Sequence, residues 1–228
     1  MNNFLYFSLD NHVPLKEFDN LHLSICSGLA KSRKNSQTAN LRVDPKQIVK
    51  SNQFTHLSEV YKSFYEASTN SELKQHARDL TFDELAYYLK FALGGYDLYQ
   101  TYFIYDNQEH FGKLCQWIEN LKTQNIFKEI HKAYILTLDA GGIPFEHFHY
   151  ADQPVEEFIH VRPKISRPFY VRDPIEDKKV YMQTRVNWWN TRLKHGGDKM
   201  MKPSYTVRID GKFTDYIKSK INFNYAGT

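Results

Sequence analysis

The chain has 228 residues, of which 41% are hydrophobic and 25% are charged, an ordinary composition for a folded globular protein. The formal net charge is only +4, and lysine and arginine are spread along the chain, so a dense phosphate-binding surface for nucleic acid is not indicated. The apolar runs are far shorter than the ~18 residues of a membrane-spanning helix, and the first residues lack the pattern of a secretion signal. We therefore expect no membrane partner.

The two cysteines limit the kinds of site that the chain can build. Cys26 and Cys115 form no CxxC pair, which argues against a thiolate zinc site. A chain of this length can bury a sizeable core without disulfides. We expect both thiols to be free, as in a reducing compartment, and the location to be cytoplasmic.

The pattern of apolar residues changes near residue 133. Residues 1–132 are predicted to form short strands and loops up to residue 55, followed by supporting helices. From residue 133 onward, apolar and polar residues alternate and proline and glycine interrupt the pattern, which is typical of strands. Helices followed by strands predict an α+β fold, a double-stranded β-helix (a jelly-roll or cupin-like barrel) with buttressing helices from the N-terminal half. We expect a single domain over 1–228, in which residues 133–228 form the barrel core and carry the site.

Two helices are indicated in the first part. Thr81 and Glu84 have the spacing of a capping box, and Gly94 followed by Gly95 is expected to end that helix. A second helix is predicted where apolar residues recur with the helical period and would face a sheet. Its apolar residues are Phe111, Leu114, Trp117, Ile118 and Leu121.

Six stretches of the second part have the pattern of strands. In chain order they are AYILTLDAGG, IPFEHFHY, EFIHVRP, RPFYVRD, KVYMQTRVNWWN and SYTVRIDGKF. The second stretch contains His147 and His149, which point to the same face because they are two residues apart on a strand. Two imidazoles inside a barrel need a metal ion or hydrogen bonds to offset the cost of burial.

A metal ion would need ligands from elsewhere in the chain. Asp152 follows the histidine pair and is one candidate. His195 is the best distant candidate, because it follows a strand with an aromatic pair and precedes a Gly–Gly turn. Two close ligands and one distant histidine form the facial arrangement of non-haem iron oxygenases.

Such a site usually needs a cation that binds a dicarboxylate co-substrate. Arg208 lies in the strand after His195, and its planar guanidinium matches a carboxylate; the alternative is a salt bridge with Asp210. His160, a polar residue between apolar ones, is a second candidate for the carboxylate. Asn190, ahead of His195, is a candidate for orienting a ligand.

The order of these residues resembles that of the Fe(II)/2-oxoglutarate-dependent oxygenases, and within them the aspartyl/asparaginyl β-hydroxylase-like branch. The resemblance covers residues 134–215 and rests on Gly141–Gly142, the histidine pair, His160, Asn190 before His195, and Arg208. It implies Fe(II) and 2-oxoglutarate as cofactors, with Arg208 on the distal carboxylate. It also implies O₂ as co-substrate and hydroxylation of an unidentified substrate, either a small molecule or a protein side chain.

The proximal ligands depart from the H-x-D motif common in that family, and three sets are left open. The first is His147, His149 and His195, which strand geometry favours; the second is His149, Asp152 and His195; the third is two histidines and water. The alternative functions are a metal-binding cupin-type enzyme and a non-catalytic β-barrel binding module. Against the cupin, no glutamate stands three or four residues after His149; Glu156 and Glu157 come at seven and eight.

Overall fold

The computed structural model describes residues 5–33, 37–38, 71–92, 100–138, 146–149, 155–164, 168–198 and 204–221. Within these ranges the chain forms two antiparallel sheets and a set of helices that covers one of them. None of the described helices has the length and apolar character needed to cross a lipid bilayer.

The helices come mainly from the first half of the chain. They are α1 (Leu15–Asp19), α2 (His22–Ser32), α3 (Ser71–Ala77), α4 (Phe82–Ala92), α5 (Gln108–Thr123) and α6 (Asp215–Lys220). The prediction of strands and loops for residues 1–55 is therefore wrong at α1 and α2. In α2 the buried Ile25, Cys26 and Leu29 follow the helical period, and this face packs against α3, α4 and α5.

The two helices predicted from the sequence are present. At the start of α4, the Thr81 N–H donates to Oε2 of Glu84 at 2.9 Å, and the Glu84 N–H donates to the Thr81 hydroxyl at 3.3 Å, so the capping box is confirmed. The expected helix end at Gly94–Gly95 lies outside the described residues. In α5 all five predicted apolar residues are buried.

The strands form a seven-stranded and a three-stranded sheet. They are β1 (Tyr6–Ser8), β2 (Gln37–Thr38), β3 (Gln100–Phe103), β4 (Phe127–Leu138), β5 (Phe158–Val161), β6 (Phe169–Arg172), β7 (Lys179–Tyr181), β8 (Val186–Trp189), β9 (His195–Gly197) and β10 (Ser204–Phe213). The large sheet has the order β1-β8-β5-β10-β4-β3-β2, and the small sheet has the order β7-β6-β9. The segment 146–149 joins the small sheet through an antiparallel bridge between His147 and His195.

Two segments differ from the predicted boundaries. β3 and the first residues of β4 lie in the range predicted to be helical. The helix prediction is wrong for these two strands. The start of β4 is polar and shows no strand alternation, and it is extended because it pairs with the end of β10 across a register shift at Asp210 and Gly211. The stretch KVYMQTRVNWWN forms two strands, β7 in the small sheet and β8 in the large one.

The chain order of the strands gives the barrel. From β4 onward the chain passes from the large sheet to segment 146–149, returns to β5, crosses to β6 and β7, returns to β8, crosses to β9 and ends in β10. This alternation between two facing antiparallel sheets is the double-stranded β-helix, so the predicted α+β jelly-roll fold is confirmed.

Strand alternation gives each face of the large sheet a different role. On β10, Tyr205 stacks on His22 of α2, with ring centroids 5.9 Å apart, so this side faces the helices. Arg208 has the opposite parity and therefore faces the barrel interior. On β8, Trp189 also faces the interior, where its ring lies 5.7 Å from that of His195 in the small sheet. Candidate site residues on the inner faces of the two sheets thus point toward one another.

Candidate metal centre

Three histidines converge inside the barrel. His147, His149 and His195 each offer a ring nitrogen, and these nitrogens all lie within 4.8 Å of one another. The ring centroids of His147 and His195 are 4.4 Å apart, and that of His149 lies 5.7 Å and 5.5 Å from them. Within the described residues this group contains no carboxylate. Three imidazoles gathered in this way can hold a metal ion.

The backbone positions these side chains. His147 and His195 exchange two backbone hydrogen bonds, of 3.0 and 2.8 Å, and the His149 N–H donates to the carbonyl of Thr191 at 2.9 Å. The expected Gly–Gly turn after His195 is instead part of strand β9. Gly196 allows a close approach there, because a Cβ at this position would lie 3.1 Å from the Cα of Glu146.

His195 has the tautomer of a metal ligand. Its Nδ1 lies 2.8 Å from the carbonyl oxygen of Leu193, which can only accept, so Nδ1 carries the proton and Nε2 keeps its lone pair. The side chain is buried, and burial lowers the pKa of His195 to about 3. Hydrogen bonding by Nδ1 and the neutral state of the ring both suit coordination through Nε2.

His149 is oriented by a carboxylate. Its Nδ1 lies 3.3 Å from Oε2 of Glu156. Burial raises the pKa of Glu156, but the hydrogen bond from His149 and the charge of Arg208 outweigh this effect and lower the pKa to about 2. The carboxylate is therefore ionised at neutral pH, when Nδ1 of His149 donates to it and Nε2 is left for a metal ion.

The donor set fits a divalent transition metal. Imidazole is a common ligand for iron, zinc, copper and nickel. Because all three donors are neutral, a bound divalent ion would keep its full positive charge and would favour an anionic co-ligand.

Arg208 lies on the inner face of the large sheet, among acidic and aromatic side chains. Its Nε donates to Oδ1 of Asp210 at 2.8 Å, and its Nη2 donates to Oε2 of Glu156 at 2.9 Å. Its guanidinium carbon lies 4.1 Å from the ring centroid of Phe158. Burial alone would lower the pKa of Arg208, but Tyr134, Asp210 and Glu156 raise it. The salt bridge with Asp210, which the sequence offered as the alternative to binding a co-substrate, is present, and a second carboxylate accompanies it.

His160 is opposite Arg208 in the register of β5 and β10, so the two side chains share the inner face. It is buried, and its ring centroid lies 5.3 Å from that of Trp189 and 5.9 Å from that of Phe169. Both aromatic rings also lie next to His195. Phe169 and Trp189 are therefore neighbours of both His160 and His195.

Asn190 lies in the turn between β8 and β9. Its side-chain oxygen accepts from the Arg192 N–H at 3.1 Å, and its carbonyl accepts from the Leu193 N–H. This turn carries the Leu193 carbonyl that contacts Nδ1 of His195, so Asn190 is linked to His195 through the backbone of the turn. Asp152, the remaining candidate ligand, lies outside the described residues.

Glu156 belongs to the candidate site, although the sequence pattern does not predict it. Its carboxylate contacts both His149 and Arg208, although it stands seven residues after the histidine. Glu156 precedes β5, outside any strand, so strand periodicity carries no signal for this contact. Its neighbour Glu157 bonds instead to the backbone N–H of Phe213 and to Lys218.

Comparisons with known proteins give matches among solved structures alone. No family model matches the sequence, and no curated protein matches it. Among solved structures, a prolyl-4-hydroxylase of Pseudomonas putida is 8% identical with a TM-score of 0.38, over 50% of this chain and 70% of that one. A Trichoplax adhaerens prolyl hydroxylase, in complex with a hypoxia-inducible-factor peptide fragment, is 11% identical with a TM-score of 0.37, over 89% of this chain and 94% of that one.

A third match is a viral collagen prolyl hydroxylase from Paramecium bursaria Chlorella virus-1, in complex with 2OG. It is 13% identical with a TM-score of 0.29, over 49% of this chain and 76% of that one. Identities and scores this low leave the activity to be argued from the residues of the site.

Proposed function

We propose that this chain is an Fe(II)- and 2-oxoglutarate-dependent oxygenase that hydroxylates a small molecule or a protein side chain. The observation that carries the proposal is the convergence of three imidazoles in the same barrel interior as a partly buried arginine. The imidazoles suit a divalent metal ion, and the arginine suits a carboxylate of the co-substrate. The aspartyl/asparaginyl β-hydroxylase-like branch is the proposed relationship within these oxygenases.

The residues have separate roles in this proposal. His147, His149 and His195 hold the metal ion, and Arg208 binds the distal carboxylate of 2-oxoglutarate, with His160 beside it on the inner face. Asn190 supports His195 through the turn. A ferrous ion held there supplies the redox chemistry by which O₂, 2-oxoglutarate and a C–H bond give succinate, CO₂ and a hydroxylated product. Trp189 and Phe169 exclude water from the buried side of His195.

A second candidate function is a metal-binding cupin-type enzyme. Two observations favour it: the described donor group consists of histidines alone, and Arg208 is already paired with two carboxylates. Such an enzyme would bind a metal ion without needing 2-oxoglutarate.

One experiment separates the two candidates. The purified protein is loaded with Fe(II) in air, and succinate formed from 2-oxoglutarate is measured, while calorimetry follows 2-oxoglutarate binding to the Mn(II)-loaded protein. The oxygenase binds 2-oxoglutarate and forms succinate slowly even without its substrate. Metal binding with no affinity for 2-oxoglutarate would instead support the cupin-type enzyme, and no metal binding would rule out both.

A further inference from the structure

Glu156 joins the two halves of the site through one oxygen atom. Its Oε2 lies 3.3 Å from Nδ1 of His149 and accepts a hydrogen bond of 2.9 Å from Nη2 of Arg208. The same carboxylate therefore touches a candidate metal ligand and the candidate anchor for the co-substrate.

Glu156 is held in this position by the fold. Its backbone carbonyl accepts a hydrogen bond of 2.9 Å from the indole N–H of Trp188, which is fully buried on β8. Arg208 also donates from its Nε to Asp210. The backbone carbonyl and the carboxylate of Glu156 are thus held by β8 and β10, the two strands that flank β5.

The contact with His149 favours metal binding. A carboxylate that accepts the N–H of a ligating imidazole fixes the tautomer and the ring orientation and makes the other nitrogen more basic. Loss of such a partner costs about 10–100-fold in metal affinity.

The contact with Arg208 disfavours a dicarboxylate. Arg208 carries one positive charge and is already paired with the carboxylates of Glu156 and Asp210. A further carboxylate that approaches the guanidinium is repelled by the negative charge of Glu156. Removal of that charge, with the shape of the side chain kept, should make this approach more favourable.

We propose that Glu156 is a positioning residue that strengthens metal binding through His149 and weakens dicarboxylate binding at Arg208. This inference rests on the proposed function, since it assigns a metal ion to the histidines and a dicarboxylate to the arginine. Glu156 would then set the balance between the affinities for the two cofactors.

The test compares Glu156→Gln with the matched control Glu157→Gln. Calorimetry measures Mn(II) binding, and then 2-oxoglutarate binding at Mn(II) concentrations that saturate each variant. For Glu156→Gln we expect Mn(II) affinity to fall by about tenfold and 2-oxoglutarate affinity to rise by about fivefold. Glu157→Gln should leave both affinities within about twofold of those of the unchanged protein, since Glu157 contacts neither His149 nor Arg208 in the described structure.

Opposite changes in the two affinities are the signature of the proposal, because general loss of structure would weaken both. If Glu156→Gln changes neither affinity, or weakens both, the role of Glu156 is refuted while the proposed function stands. If the unchanged protein itself binds Mn(II) but not 2-oxoglutarate, the proposed function fails first, and with it the part of the inference that concerns Arg208.

Discussion

His147 and His195 form a hydrogen-bonded antiparallel pair, although 47 residues separate them in the chain. The two backbone hydrogen bonds, of 3.0 and 2.8 Å, place both side chains on one face, with ring centroids 4.4 Å apart. The proximity of the two imidazoles is therefore a consequence of strand pairing. A change that separates these two strands should damage metal binding even if no ligand is altered.

Substitution of Gly196 tests this link between strand pairing and the metal site. An added Cβ would lie 3.1 Å from the Cα and 3.3 Å from the N of Glu146, so Gly196→Ala should push segment 146–149 away from β9. We expect the free energy of unfolding to fall by about 1–3 kcal/mol, with weaker Mn(II) binding. Chemical denaturation and calorimetry measure the two effects.

Gly112→Ala is the matched control for Gly196→Ala. Nothing lies within 4 Å of a Cβ at position 112, in α5, and the substitution should raise the free energy of unfolding by about 0.5–1 kcal/mol. Mn(II) affinity should not change. Normal stability and metal affinity in Gly196→Ala would mean that the close approach of the two strands is not needed.

His195→Ala should remove most of the affinity for a metal ion. His195 is the buried member of the group and its Nε2 is left free by the hydrogen bond to Leu193, so we expect Mn(II) affinity to fall by more than about 100-fold. His131→Ala, at an exposed histidine on β4, should bind Mn(II) normally. Calorimetry measures the Mn(II) affinity of both variants. Equal affinities would show that His195 is not a metal ligand.

Arg208→Lys should weaken 2-oxoglutarate binding while metal binding persists. Lysine keeps the charge near Glu156 and Asp210 but loses the planar pair of donors, and each lost charge-assisted hydrogen bond corresponds to roughly a tenfold loss of affinity or more. Mn(II) affinity, measured on the same samples, is the internal control. Arg208→Ala is less suitable, because it also removes the positive charge from beside the carboxylates of Glu156 and Asp210.

The capping box of α4 should make stability depend on pH. The backbone hydrogen bond from Thr81 lowers the pKa of Glu84 from its ordinary value of 4.5, so the ionised form is favoured in the folded state. This contribution is complete above pH 4.5 and is lost as the pH falls through the lowered pKa. We expect Glu84→Gln to lose about 0.5–1 kcal/mol of unfolding free energy at pH 7.

Acid should abolish the difference caused by Glu84→Gln, because protonated glutamate and glutamine are both neutral. Urea denaturation at pH 7 and at a series of pH values falling below 4.5 measures how this difference changes. A difference that stays constant over this range would show that ionised Glu84 does not stabilise the helix.

The sequence by itself determined the features that depend on local chemistry. Thr81 and Glu84 specify a helix start, because both hydrogen bonds are made within one turn. The alternation of apolar and polar residues specifies the strands of the second part, since neighbouring side chains on a strand face opposite sides. The same parity places His147 and His149 on one face.

Only the tertiary structure decided which distant residues meet. The polar start of β4 shows no strand pattern and is extended because β10 pairs with it, and the single predicted strand KVYMQTRVNWWN is divided between two sheets. Glu156 reaches both His149 and Arg208 from outside any strand. Periodicity describes the face on which a residue lies within its own strand or helix. Contacts between elements depend on how the two sheets pack against each other, and a short stretch of sequence carries no signal for that packing.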